Sequence, residues 1–352
     1  MKKNLTKNTD MRILVIRTSA MGDVALTTPV LRAMNTKFPE TEIIMLTRSI
    51  FIPFFSSVNG VSLFTSDFNG RHKGLAGLLR LYKDIINAGK IDYVIDIHDV
   101  LRTKILRFLF RLHGIPVSVI DKGRKEKRAL ISGKRKLQLK HTTERYCDTF
   151  AVAGFQIEPI KRRSIFVSDA AEKKAGELLR QQAGLNIGVA PYAKHHLKMW
   201  PEENMICLLK HISEKSRVRF WLFGGGEEAG KLNIFGEKVS GSTNLAGKLS
   251  LEEQLAVMGR LDFMIAMDSS NMHMAALVGT KVISIWGGTD PLNGFGAWMQ
   301  PENYSIKISV GELTCRPCTI YGKGTCRRGD LACLNWLTPE IVFSRIEKMK
   351  LI

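Results

Sequence analysis

Two short segments place chemistry-bearing residues where a strand gives way to a helix. Thr18-Ser19-Ala20-Met21-Gly22-Asp23 follows the apolar run 13–16, and Asp268-Ser269-Ser270-Asn271-Met272-His273 follows the apolar run 263–267. At the first, Gly22 permits a tight turn, unpaired N–H groups attract anions, and Asp23 offers an acceptor or a base. A plain helix N-cap at Asp23 fits the same local sequence. No GxGxxG or P-loop stands at this turn, against a standard dinucleotide or NTPase site. At the second, Asp268 ends a strand, Ser269 and Ser270 add hydroxyls, and helix N–H groups would point at a diphosphate. His273 falls one turn later, and a capping box with a satisfied histidine explains that spacing equally.

Other segments carry weaker signals. Lys198-Met199-Trp200-Pro201 sets a lysine suited to a phosphate beside a tryptophan suited to burial. Gly224-Gly225-Gly226-Glu227 ends an apolar strand, where glycines admit a ligand and Glu227 can accept from ribose hydroxyls. Residues 121–140 hold nine Lys/Arg and two acids without an aromatic, which disfavours single-stranded nucleic acid and suits diffuse phosphate contact or a solvated loop. Cys315, Cys318, Cys326 and Cys333 form C-x2-C-x7-C-x6-C. They suit a structural zinc without a second tight pair, or reduced structural thiols; disulfides do not suit a reducing cytosol.

These turns need a scaffold of alternating strands and helices. Apolar strand candidates at 12–17, 42–46, 93–97 and 117–120 alternate with helical patterns at 24–37 and 102–111. The alternation restarts near 185, with strands at 186–190, 219–223, 263–266 and 282–286 and helices at 201–214, 251–260 and 271–278. A parallel sheet covered on both faces follows for each half, so the fold class is α/β with two Rossmann-like domains. A polar helical stretch through Gln182 is the expected join, giving domains at 1–175 and 176–335 and a terminal helix at 336–352. Ile50-Phe51-Ile52-Pro53-Phe54-Phe55 suits either a core or a membrane interface.

At about 150 residues per domain, 352 residues also imply two domains. Nothing approaches the roughly 18 apolar residues of a membrane span, and the N-terminal lysines precede too short an apolar run for a signal peptide. The expectation is a soluble or peripheral protein of the cytosol. Net charge is +19, and residues 1–150 carry 27 Lys/Arg against 13 Asp/Glu, so the first half is expected to meet something anionic. A nucleic-acid binder lacks its motifs, and a nicotinamide dehydrogenase lacks its glycine fingerprint.

Taken together, RILVIRTSAMGDVALTTPVLRAM, Val94-Ile95-Asp96-Ile97-His98, His141-Thr142-Thr143-Glu144-Arg145, Lys198-Met199-Trp200-Pro201, Gly226-Glu227, Asp268 to His273 and Gly288-Thr289-Asp290-Pro291 resemble the ADP-heptose:lipopolysaccharide heptosyltransferases, glycosyltransferase family 9. The resemblance spans residues 11 to 345 and includes the cysteine-rich tail. It implies a GT-B architecture of two facing Rossmann-like domains, acceptor on the first and nucleotide sugar on the second, with the last helix crossing back. Asp23 matches the family's proposed base and Lys198 a phosphate-contacting lysine with a catalytic part. Glu227, Asp268, Ser269, Ser270, Asn271 and His273 match its donor site, Ser270 replacing a glycine. The implied reaction is an inverting transfer from ADP-heptose to a Kdo-lipid A type acceptor at the inner face of the inner membrane, with no required cofactor and no nucleic acid. Ser19, Arg48, Arg102, Arg124 and Arg128 are the acceptor-contact candidates. A family 9 enzyme with another donor or acceptor is the alternative.

Overall fold

The computed structural model describes residues 11–180 and 184–352. The N-terminal lysines counted above and the end of the helix expected through Gln182 lie outside the described residues. Contacts divide the chain into two compact units. One runs through Lys122 and adds Thr142–Ile165; the other joins Gly123–His141 to Phe166–Ile352.

The first unit is built on β1 (Arg12–Ile16), β2 (Glu42–Thr47), β3 (Val61–Thr65), β4 (Tyr93–Asp96) and β5 (Val117–Val119), all parallel in the order β3-β2-β1-β4-β5. Ile13 to Ile16 are fully buried, as an unbroken apolar run at the centre of a parallel sheet requires. The helix expected over 24–37 is two helices, α1 (Met21–Ala25) and α2 (Thr28–Lys37). Pro29 explains the break: it has no N–H to donate to Ala25, and its ring would crowd that carbonyl in a continuous helix. α3 (Gly74–Asn87) and α4 (Leu101–Leu112) share one core, Leu78, Leu81 and Ile85 lying with Leu106 and Phe110.

The second unit includes α5 (Arg124–Ile131), while α6 (Thr142–Val152) returns to the first. α7 (Asp169–Leu179) then leads to β6 (Leu185–Ala190), α8 (Glu202–Lys215), β7 (Val218–Leu222), α9 (Ala229–Glu237) and β8 (Ser242–Asn244). After them come α10 (Leu251–Met258), β9 (Phe263–Met267), α11 (Ser270–Leu277), β10 (Val282–Ile285), β11 (Ser305–Ile306), α12 (Ala332–Asn335) and α13 (Pro339–Lys348). The sheet order is β11-β10-β9-β6-β7-β8, all parallel. In both units the first strand is central and the order reverses beside it, between β1 and β4 and between β6 and β9. Ligands of such sheets bind at that switch point, outside the strands' carboxyl ends.

Expectations about organisation change in several places. The domain edge expected at 175 falls at Ile165, and 123–141 belongs to the second unit: Leu139 N–H donates to Leu292 O at 2.9 Å and Lys136 Nζ to Thr314 O at 2.6 Å. The basic run is therefore a helix with a docked tail instead of a solvated loop. It also moves the charge, leaving 22 basic and 13 acidic residues in the first unit and 30 and 20 in the second, surpluses of nine and ten. The last helix, expected to return to the first domain, buries Val342 and Ile346 in the second unit's core beside α8.

Candidate functional site

In the first unit, the β1 and β4 ends converge as the switch-point argument requires. Arg17, just past β1, donates from Nη1 to Ile97 O at 2.7 Å and pairs through Nη2 with Asp23 Oδ2 at 2.8 Å. Asp23 is the third residue of α1, with its side chain 26% exposed and turned to Arg17; the N-cap is Ala20, so the capping reading of Asp23 does not hold. Burial works against the Arg17 charge, but Asp23 and Tyr146 outweigh it and Arg17 titrates above the ordinary arginine range. The Tyr146 ring lies 5.7 Å from that guanidinium, and its hydroxyl donates to Asp23 O at 3.2 Å.

His98, after β4, holds the same turn. Its Nδ1 is 3.2 Å from Thr18 Oγ1 and its Nε2 3.2 Å from Ser19 Oγ. Burial, with Arg17 and Lys122 nearby, pushes the imidazole down to about 3, so it is neutral, one nitrogen donating and the other accepting. Asp96, fully buried, accepts from the N–H groups of His98 and Asp99 and pairs with Arg107 at 3.1 Å, which fixes the loop. Of the acceptor candidates, Ser19, Arg48 and Arg102 follow β1, β2 and β4 and share the carboxyl edge of one sheet. Arg48 lies over Phe51 and Arg102 over Phe68. Arg124 and Arg128 sit exposed on α5 in the second unit, so those five residues do not form one cluster within a unit.

The second unit gathers its candidates at the same kind of edge. Lys198, in a turn after β6, pairs through Nζ with Asp268 Oδ2 at 2.8 Å; Thr289 Oγ1, after β10, donates to that oxygen at 2.8 Å. Asp268 is buried, and the Lys198 side chain is 16% exposed. Trp200 is buried, as the sequence suggests, its backbone N–H 3.3 Å from Met267 Sδ and its Nε1 donating to Leu337 O at 2.8 Å. Gly322 lets the lysine stem pass: a Cβ there would stand 2.7 Å from Lys198 Cγ, and its φ of +79° disfavours a side chain anyway.

Ser269 is the N-cap of α11 but makes no capping bond, and its Oγ is buried without a hydrogen-bond partner among the described residues. Ser270 and Asn271 are the first two helical residues, and His273 is buried in that turn. Ser270 starts an ordinary right-handed helix, so serine in the glycine's place meets no backbone conflict. Glu227 is exposed after β7, whereas Glu228 Oε2 accepts from Gly225 N–H at 2.7 Å and closes the glycine turn.

The tail braces this cradle. Arg316, buried, donates from Nε to Gly287 O at 2.8 Å and from Nη2 to Thr289 O at 2.9 Å, and pairs with the buried Asp290 at 3.3 Å. Cys318 N–H donates to Gly288 O at 3.0 Å. Burial pushes the Cys318 thiol up, and the Cys333 thiol up to about 11. Among the described residues, Cys315, Cys318, Cys326 and Cys333 are free, and no three of their sulfurs gather within 4.8 Å.

Arg17 and Thr289 stand within the sequence motifs above without an assigned role, and Tyr146 and Arg316 are not among the residues those motifs name. A cation closing a buried strand was the signal for Arg17; the others reach the site only through tertiary packing.

A profile of glycosyltransferase family 9 (heptosyltransferase) matches residues 79–324. Lipooligosaccharide heptosyltransferase 2 of Campylobacter jejuni is 22% identical over 349 residues, covering 96% of this chain and 99% of that protein. The crystal structure of a family 9 glycosyltransferase from Veillonella parvula superposes with a TM-score of 0.76 at 20% identity, covering 96% of this chain and 97% of that one. E. coli heptosyltransferase WaaC with ADP-2-deoxy-2-fluoro heptose gives 0.64 at 19% identity, covering 96% and 100%. The paired parallel-sheet units are those of the GT-B fold.

Proposed function

Because the chain belongs to glycosyltransferase family 9, we propose that this glycosyltransferase moves a heptose from an ADP-sugar to the inner core of lipopolysaccharide, a Kdo-lipid A type acceptor, with inversion. The observation that carries the donor half is the Lys198–Asp268–Thr289 cluster at the start of α11. It sets one cation, an unengaged Ser269 hydroxyl and helix N–H groups at one sheet edge, a pattern that fits a diphosphate. The relative solved with an ADP-heptose analogue supports adenine as the base.

In this scheme Asp23 takes the proton from the acceptor hydroxyl as its oxygen attacks the anomeric carbon, and the bond to ADP breaks on the opposite side. Arg17 orients the carboxylate through Oδ2, and Tyr146 holds the Asp23 backbone. Lys198 and the α11 N-terminus meet the charge that develops on the departing diphosphate, so the chain's own groups supply the electrostatic stabilisation without a required cofactor. Asp268 positions Lys198; Glu227 is assigned to the ribose, and Asn271 and His273 complete the donor site. Arg48 and Arg102, at the Asp23 edge, are assigned to acceptor phosphates and Kdo carboxylates, with Arg124 and Arg128 adding cations from α5.

No helix among the described residues is long and apolar enough to cross a membrane. Membrane contact at the cytoplasmic face is assigned to the outer side of α3 and α4, where Leu75, Leu79, Leu101, Phe108 and Leu112 are exposed. Those two helices hold six Lys/Arg and one acid, a composition that suits anionic lipid. The apolar segment at 49–54 contributes less, since Phe51 and Phe54 are core and only Ile50 and Ile52 face out.

Incubation with ADP-heptose and Kdo-lipid A should add one heptose to the acceptor, with ADP stabilising the protein more than UDP, GDP or CDP. A different nucleotide preference would favour a family 9 enzyme with another donor.

A further inference from the structure

We propose that Cys207, His211 and Glu340 bind a zinc-class divalent cation that clamps the last helix onto α8. The two helices run side by side in a ladder of one-turn steps. Lys215 pairs with Glu347 at 3.3 Å, and the His211 ring meets Phe343 edge-on at 5.8 Å. At the third rung, Cys207 and His211 project from one face of α8 at i and i+4, and Glu340 enters from the first turn of α13. One ligand atom from each lies within 4.8 Å of the other two, a gathering that none of the tail cysteines makes.

The distances fit a metal as well as a thiol–imidazole hydrogen bond, and Glu340 supplies the third ligand that such a bond does not need. Cys207 Sγ and His211 Nε2 are 3.7 Å apart. With Zn–S near 2.3 Å and Zn–N near 2.0–2.1 Å, a tetrahedral centre separates sulfur and nitrogen by about 3.6 Å. One thiolate, one imidazole and one carboxylate select zinc over magnesium or calcium, which take oxygen ligands. Binding converts the Cys207 thiol to a thiolate and releases its proton to solvent. Cys207 and His211 are half-buried and Glu340 is exposed, which leaves an entry path and a fourth position for water.

The rest of the seam suits a clamp. Thr338 caps α13 by accepting from Ile341 N–H at 3.4 Å, which sets Glu340 in the first turn. Trp200, two residues before α8 starts, already donates from Nε1 to Leu337 O, just ahead of α13. A metal one to two turns further along fastens the same two helices again and stabilises the unit that carries Lys198, without entering the transfer chemistry.

The test uses the full-length protein, reduced and stripped by a chelator, with Co(II) and then Zn(II) as probes. One equivalent of Co(II) should give tetrahedral visible bands and a thiolate charge-transfer band. Cys207→Ser should abolish that band, and His211→Asn and Glu340→Gln should each weaken binding about tenfold or more. Zn(II) should raise the melting temperature of the wild type and leave Cys207→Ser unmoved, with circular dichroism confirming that each variant folds. A Cys315→Ser/Cys318→Ser variant that keeps the band supports the assignment. Absence of binding in the folded wild type overturns it, as does a band that survives Cys207→Ser and His211→Asn.

Discussion

Replacing Asp23 with asparagine separates the proposed base from everything else that residue does. Asparagine keeps the size and an oxygen able to accept from Arg17 Nη2, now 2.8 Å away, while Arg17 retains its bond to Ile97 O. The turn is also held by Tyr146 on the Asp23 backbone and by His98 on Thr18 and Ser19, none of which involves the carboxylate. Arg17 stays charged, so the structural cost is that of turning an ion-paired hydrogen bond into one from a cation to a neutral oxygen, about 1–2 kcal/mol. For a unit of this size that lowers the melting temperature by roughly 2–8 °C. The chemical cost is larger: losing a positioned base removes about 10²–10⁴ in rate, or roughly 3–5 kcal/mol of barrier. ADP affinity should stay within about twofold, because the donor residues belong to the other unit's sheet. The assay pairs steady-state heptosyl transfer on a solubilised acceptor with ADP titration by calorimetry. A kcat within tenfold of wild type would refute Asp23 as the base; a collapse of ADP binding would instead show that its role is structural.

Four further outcomes follow from the geometry. Lys198→Met leaves the buried Asp268 with only Thr289 of its two partners, and should lower kcat about 10²–10³-fold and weaken ADP binding; unchanged kinetics would remove Lys198 from the leaving-group site. His98 is held neutral down to about pH 3, whereas an unfolded histidine takes its proton near 6.5. The folded state is therefore fully favoured above pH 6.5 and loses about 1.4 kcal/mol per unit as pH falls from there towards 3. Urea melts should show a correspondingly flatter slope in His98→Asn, and an identical slope would contradict the buried neutral imidazole. Arg316→Met leaves the fully buried Asp290 paired to Lys307 alone, at 3.2 Å, and should destabilise the protein by about 3–5 kcal/mol by chemical denaturation; a loss below 1 kcal/mol would count against that buried pair. Leu101→Gln/Phe108→Gln/Leu112→Gln should release the protein from anionic vesicles while sparing turnover on a detergent-solubilised acceptor; retained vesicle binding would move the membrane face elsewhere.

The sequence by itself determined the α/β class, most strands and the two strand-to-helix turns, because buried parallel strands need unbroken apolar runs and turns need their own residue types. Ile13 to Ile16 and Phe263 to Met267 are legible for that reason, and Asp23 and Asp268 stand next to them. Weaker elements escaped it: β3 is only partly buried, and β8 and β11 are three and two residues long, too short for a periodic signal. Tertiary structure alone decided who meets whom. The partnership of Arg17 with Asp23 is local, but Tyr146 arrives from 123 residues away and Thr289 reaches Asp268 across a β-strand neighbour. The same holds for the basic run at 123–141, which looks like part of the first half because the chain is read in order, yet packs with the second. Residue spacing records local geometry, whereas the free energy of burial depends on surfaces that come together only when the sheets have formed.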